Sequence, residues 1–298
     1  MSITGFIGLG IMGKPMSKNL IKAGYDLLVY DVVQAAVDEV AAAGAQAASG
    51  VAEVAGKADV IVTMLPNSPH VQDVVLGPDG ILANAKPGTV IVDMSSISPI
   101  VSREIAAACA EKGVILIDAP VSGGEPKAIE GTLAIMAGGD AETFERVRPM
   151  LEKMGASVTL VGEIGSGNVT KLANQVIVAL NIAAMSEAMT LATKAGVDPE
   201  KVYQAIRGGL AGSTVLDQKM PKVLSGNFDP GFRIELHIKD LQNALDASHA
   251  VNVPLPLTAS VMEMMQMCKV AGEEKNDHCG LIKQYERFSG VEVRSVGE

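Results

Sequence analysis

A chain of 298 residues holds one large or two medium domains and has ample material for a hydrophobic core. The net charge of -10 argues against a nucleic-acid or anionic-membrane partner, which would require basic patches, while leaving room for a local pocket that takes a small anion. Three cysteines (Cys109, Cys268 and Cys279), odd in number, far apart and without a CxxC, read as free thiols in a reducing cytoplasm, and the N-terminus carries no signal-peptide pattern.

Residues 3–7 form a short β-rich run, followed by Gly8, Leu9, Gly10, Ile11, Met12 and Gly13 and then by a helical pattern that Gly24 can cap. A second strand at 26–31 ends in Asp31. Strand, G-x-G-x-x-G, helix, and strand ending in an acid is the dinucleotide-binding layout. The first glycine permits the tight turn, the second lets backbone approach a pyrophosphate, and the third packs helix on strand. The helix N-terminus then faces the phosphates. A carboxylate at Asp31 would accept hydrogen bonds from ribose hydroxyls and repel a 2′-phosphate, and Val32 and Val33 offer no cation. The expected cofactor is NAD(H), with NADP(H) as the alternative.

Further strands are predicted at 59–65, 89–94 and 114–118, with helices through about 76 and over 98–112. Apolar runs of four or five residues are the mark of parallel strands covered on both faces. Ligands bind outside the carboxyl ends of such strands, so the loops at Leu65-Pro66 and at Ser95-Ser96 should gather on the same edge as Asp31. Ser122, Gly123 and Gly124 follow the next strand and could turn successive N–H groups towards a carboxylate. Strands at 132–137 and 157–161 around a helix at 141–153 close a first domain, 1–163.

From about 168 to 195 the chain reads as one helix without Pro or Gly, apolar around most of its circumference and so expected to be buried. Asn174, Gln175, Asn181, Ser186 and Glu187 interrupt it too often for lipid exposure. Lys171 lies in its first turns, where the helix dipole disfavours a cation, and Asn174 shares its face. An ordinary lysine there would lie on the surface with its stem over apolar neighbours; the glycine-rich entry makes this one a candidate. Beyond it the second domain, 164–298, is predicted to be all-α, with helices at 198–207, 214–224, 236–250 and 256–271. Lys239-Asp240, near the start of one of them, reads by itself as a solvated charged pair. The methionines at 262, 264, 265 and 267 read as core or subunit packing. The four histidines show no ligand spacing and no Gly-x-Ser-x-Gly elbow occurs, so neither a metal nor hydrolase chemistry is expected.

Four segments, in this order and spacing, carry a family resemblance: residues 6–16 around the glycine turn, Asp118-Ala-Pro-Val-Ser-Gly-Gly124 with Gly131, Gly165-Ser-Gly-Asn-Val-Thr-Lys-Leu-Ala-Asn174, and Lys239-Asp-Leu-Gln-Asn-Ala-Leu-Asp246. Over essentially its whole length the chain resembles the β-hydroxyacid dehydrogenases, the group that includes 3-hydroxyisobutyrate dehydrogenase. The resemblance implies an α/β, Rossmann-type, doubly wound and mainly parallel sheet, a long interdomain helix and an all-α C-terminal domain, usually assembled as dimers or tetramers. It implies that Lys171 is the catalytic lysine and Asn174 its substrate-orienting neighbour. It further implies that Ser122, Gly123 and Gly124 form the substrate loop, and that Ser96 and Lys239 lie at the nicotinamide end of the cleft. Residues 64–70, 124–128 and 207–214 resemble a branch acting on a three-carbon aldehyde acid. A module that senses NAD(H) without catalysis is the competing class.

Overall fold

The computed structural model describes residues 3–295. It divides into an N-terminal unit ending at Lys171 and a C-terminal unit beginning at Leu172.

The N-terminal unit alternates strand and helix: β1 (Thr4–Ile7), α1 (Gly13–Lys22), β2 (Leu27–Tyr30), α2 (Gln34–Ala42), β3 (Gln46–Ala47), α3 (Val51–Lys57), β4 (Val60–Thr63), α4 (Ser68–Leu76), α5 (Ile81–Asn84), β5 (Val90–Asp93), α6 (Pro99–Glu111) and β6 (Ile115–Asp118). These six strands lie parallel in the order β3-β2-β1-β4-β5-β6. The alternating residues of each strand explain the unbroken apolar runs. Phe6, Val29, Val62, Val92 and Ile117 face one layer with Met16 and Leu20 of α1 and Val37 and Val40 of α2. Their neighbours Ile7, Leu28, Ile61, Ile91 and Leu116 face the other, with Val54 of α3, Val71 and Val75 of α4 and Ile105 of α6. Each fully buried side chain of this size contributes roughly 1.5–3 kcal/mol, so the two layers hold the sheet between both helix shells.

β7 (Val121–Ser122), α7 (Gly124–Glu130), β8 (Leu133–Gly138), α8 (Ala141–Leu151) and β9 (Gly155–Gly162) complete the unit. β8 runs antiparallel to β6 and β7 in one continuous register, Asp118 opposite Gly138, Val121 opposite Ile135 and Ser122 opposite Ala134, and β9 pairs parallel with β8. Pro120 interrupts the β6–β7 edge, yet its carbonyl still accepts the Met136 N–H at 3.1 Å, because only its missing donor is lost to the ladder.

α9 (Ser166–Lys194) runs from the end of the N-terminal unit into the C-terminal unit, 29 residues or roughly 40 Å at ~1.5 Å per residue. The rest is helical: α10 (Pro199–Ile206), α11 (Thr214–Ser225), α12 (Ile234–Ala250), α13 (Pro256–Val270), a 3-10 turn (His278–Leu281) and α14 (Ile282–Ser289). Asp198 and Ser213 cap α10 and α11 by accepting the N–H groups of Glu200 and Leu216. Ala179, Ile182 and Ala183 of α9 pack against Ile238, Leu241 and Leu245 of α12 and Met262 and Met265 of α13. Met185 and Met189 pack instead with Tyr203, Leu216, Met220 and Ile282. Length and composition alone would let α9 cross a membrane, but these side chains bury one face of it in a packed unit, while Val169, Ile177 and Leu191 stay exposed on another, so the helix is not buried all round as its apolar circumference suggested. The Rossmann-type sheet, long helix and all-α unit expected from the sequence are all present.

Candidate functional site

The glycine turn joins β1 to α1, and each of its three glycines answers a different demand. Gly8 has φ 98° and a Cβ there would strike the Met64 carbonyl oxygen. A Cβ on Gly13 would strike the Gly8 carbonyl oxygen, so the helix can start this close to the strand only with glycine. Gly10 has no heavy atom of the surrounding protein near its virtual Cβ. Nothing inside the fold requires glycine at that exposed position, which fits backbone meant for close approach by a dinucleotide pyrophosphate. The first turn of α1 has neither an acidic residue nor a side-chain cap, and its N–H end is suited to an anion. The residues present therefore fit a nicotinamide dinucleotide. Ile11, Val32 and Val33, each more than half exposed, add apolar surface around the turn.

Asp31 has a structural task that its position in sequence does not reveal. Its Oδ2 accepts the Leu9 N–H at 2.6 Å and its Oδ1 the Val33 N–H at 2.8 Å. It braces the glycine turn while remaining partly accessible at the end of β2.

Along the same carboxyl edge, the loop after β4 places Leu65 half-buried and Pro66 exposed, and the loop after β5 places Ser96 half-buried. A buried network ties the two loops together. Ser95 Oγ accepts the Leu65 N–H at 2.9 Å, while Asp93 Oδ1 accepts from Thr63 Oγ1 at 2.8 Å and from the Ser95 N–H at 3.2 Å. Asp93 lies opposite Asp118 in the β5–β6 pair, and both are buried. Burial, reinforced by the neighbouring Asp118 charge, pushes Asp93 up to about 6. Burial also pushes Asp118 up to about 6, against the opposing pull of the Asn168 and Gly165 N–H groups and the Arg103 charge.

Ser122 ends β7, and Gly123 and Gly124, both at positive φ, turn the chain into α7. Lys171 lies in the second turn of α9 and is only 6% exposed, so it is not a surface lysine.

In the C-terminal unit the polar groups cluster around Gln175, one turn beyond Lys171 on α9. Asn174 Nδ2 donates to Gln175 Oε1 at 2.9 Å, and Gln175 Nε2 donates to Asp240 Oδ2 at 2.6 Å. Lys239 Nζ lies 3.0 Å from Asp240 Oδ1. Asp240 is 1% exposed, which overturns the reading of Lys239-Asp240 as a solvated pair. The ring of His237 reaches the Gln175 carbonyl oxygen at 3.1 Å and the ring of His278 at 3.0 Å. A carbonyl can only accept, so His237 donates through Nε2. Gln175, Asp240 and the histidine pair are absent from the sequence-derived candidates. The one available signal was the i, i+4 spacing of Lys171 and Gln175, which places both on one face of a helix. Among the described residues, no group of three His, Cys, Asp or Glu side chains could hold a metal ion.

Residues 3–162 match the family described as the NAD binding domain of 6-phosphogluconate dehydrogenase, and residues 165–285 that described as NAD-binding of NADP-dependent 3-hydroxyisobutyrate dehydrogenase. The 2-hydroxy-3-oxopropionate reductase of Escherichia coli (strain K12) is 46% identical over 282 residues, covering 95% of this chain and 96% of that one. The 2-(hydroxymethyl)glutarate dehydrogenase of Eubacterium barkeri is 42% identical, covering 97% and 96%. Among solved structures, Mycobacterium tuberculosis 3-hydroxyisobutyrate dehydrogenase with L-serine superposes with a TM-score of 0.88 at 33% identity, covering 96% and 99%.

Two outcomes follow from the geometry of the carboxyl edge. Gly13→Ala forces the turn apart at the Gly8 carbonyl, so stability should fall by about 1–3 kcal/mol and KM for the nicotinamide cofactor should rise, both measurable by urea unfolding and initial rates. Asp93 has a folded-state pKa above its unfolded value of 3.8, so its contribution to stability is complete below about pH 4 and is lost as pH rises through about 6. Asn keeps the Oδ1 acceptor without the charge. Asp93→Asn should therefore match the wild type near pH 4 and exceed it at pH 8 by about 1–3 kcal/mol; parallel unfolding curves at the two pH values would contradict the assignment.

Proposed function

The chain belongs to the β-hydroxyacid dehydrogenase family, whose members act on small hydroxy acids, and from that premise we propose that it reduces tartronate semialdehyde (2-hydroxy-3-oxopropanoate) to D-glycerate with NADH. The observation that carries the chemistry is Lys171, a buried lysine in the second turn of a helix fixed to the carboxyl edge of the sheet. The whole-length similarity to a 2-hydroxy-3-oxopropionate reductase supports the choice of substrate.

In this reading Gly8 to Gly13 and Asp31 hold the dinucleotide, and Leu65, Pro66 and Ser96 line its nicotinamide end. The bound nicotinamide supplies a hydride to the aldehyde carbon. Ser122, Gly123 and Gly124 hold the substrate carboxylate through hydroxyl and backbone N–H groups. As negative charge develops on the aldehyde oxygen, the Lys171 ammonium stabilises it and donates the proton; in oxidation the neutral amine takes that proton back. Asn174 orients the substrate oxygen. Asp31 supports NADH over NADPH, because a carboxylate bonded to Leu9 and Val33 would face a 2′-phosphate with like charge, and Val32 and Val33 after it offer no cation. The same reading makes the protein a cytoplasmic enzyme of glyoxylate metabolism, assembled as a dimer or tetramer.

Initial rates of NADH oxidation at 340 nm with tartronate, succinic and methylmalonate semialdehydes, each repeated with NADPH, test substrate and cofactor together. Preference for tartronate semialdehyde with NADH is the expected result. Preference for a longer or methylated semialdehyde would move the chain to another branch with its chemistry intact, and cofactor binding without turnover of any substrate would favour a sensor. Lys171→Ala should lower kcat by about 10²–10⁴-fold, the usual worth of a positioned acid, with cofactor binding retained; normal turnover would refute the role of the lysine.

A further inference from the structure

α9 begins without a cap of its own. Its first turn contains no acidic residue, and position 165, where the helix starts, is a glycine with φ 86°. The missing acceptor comes from the sheet, 47 residues earlier in the chain. Asp118, at the carboxyl end of β6 and fully buried, accepts the Gly165 N–H through Oδ1 and the Asn168 N–H through Oδ2, both at 2.7 Å. One carboxylate thus satisfies two of the four N–H groups that every helix start leaves open.

Glycines make this contact possible. A Cβ on Gly167 would strike the Met136 carbonyl oxygen and crowd the Asp118 carbonyl, and one on Gly138 would crowd Asp118 Oδ1. A second tether comes from the other side. Asn168 Oδ1 accepts the Ile97 N–H at 3.0 Å and Asn168 Nδ2 donates to Ser102 Oγ at 3.1 Å, while Arg103 Nε donates to the Ile164 carbonyl at 3.3 Å. The turn is therefore held by β6, by the loop after β5 and by α6, which fixes both its height above the sheet and its rotation. Lys171 follows Asn168 by three residues on the same helix face.

We propose that Asp118 is a positioning residue for Lys171: its carboxylate anchors the first turn of α9 so that the lysine side chain is delivered to the reacting oxygen at one height and one rotational phase. This rests on the assignment of Lys171 as proton donor. An ordinary structural cap would lower stability without acting through one side chain, and a double-mutant cycle separates the two.

The test compares wild type, Asp118→Asn, Lys171→Ala and the double variant, with kcat and KM measured on the semialdehyde that the wild type turns over best. Asn can accept only one of the two N–H groups and turns its own NH2 towards the other. Because a misplacement near 1 Å can cost about 10²-fold, Asp118→Asn should lower kcat by about 10–100-fold, with KM for NADH and the circular dichroism spectrum retained. In the Lys171→Ala background the same change should alter the residual rate by no more than about two-fold, as expected when two residues act through one step. A multiplicative loss in the double variant, or an undiminished kcat in Asp118→Asn, would overturn the positioning role alone. Wild-type turnover by Lys171→Ala would overturn the lysine assignment and this inference with it. Should Asp118→Asn not accumulate as folded protein, Asn168→Ala severs the opposite tether of the same turn, and the same kcat loss and the same cycle with Lys171→Ala decide the question.

Discussion

The first turn of α9 meets the carboxyl edge of the sheet through a buried carboxylate, and much of the N-terminal unit is arranged around making that contact tolerable. Asp118 is fully buried, so its two oxygens must be answered by donors, and the N–H groups of Gly165 and Asn168 do so. That requirement brings helix backbone onto strand backbone, which only glycine at 138 and 167 allows. A second buried carboxylate, Asp93, sits directly opposite and organises the loops after β4 and β5 in the same manner. Burial raises the pKa of both carboxylates, with the Asp118 charge adding to the rise at Asp93, and the fold accepts that cost at the edge where parallel strands of this type bind ligands.

Away from this edge the sheet is ordinary hydrophobic architecture. Successive residues of β1, β2, β4, β5 and β6 alternate between two apolar layers, so neither face is left for water and neither layer needs polar partners. The carboxyl edge is then where the N-terminal unit concentrates buried polar groups, and it does so with loops whose positions are set by strand ends.

The C-terminal unit repeats this division on a helical scaffold. The middle and far end of α9 are packed with alanine, isoleucine and methionine, whereas its near end carries Asn174 and Gln175 into a network with Asp240 and Lys239. His237, bridging the Gln175 carbonyl and His278, links α9, α12 and the 3-10 turn through polar contacts that are fully buried. A network of this kind restricts the relative rotation of its helices more narrowly than apolar packing, because each hydrogen bond tolerates little angular error.

The amino-acid sequence by itself determined the Rossmann-type class, the glycine turn, the order of the parallel strands' segments and the long helix to within two residues at each end, because these are written in patterns of local period or spacing. It assigns no elements to residues 33–58, where α2, β3 and α3 are short and alanine-rich. Lys171 was visible as a candidate through its spacing from Gly165 and Asn174, whereas its burial was not. Only the tertiary structure decided that Asp31 braces Leu9, that Asp118 caps α9, that Gln175 rather than solvent answers Asp240, and that Asp93 and Asp118 face each other. Each of those pairings joins residues between 22 and 65 positions apart. They are set by strand register and helix packing, which no single stretch of sequence contains.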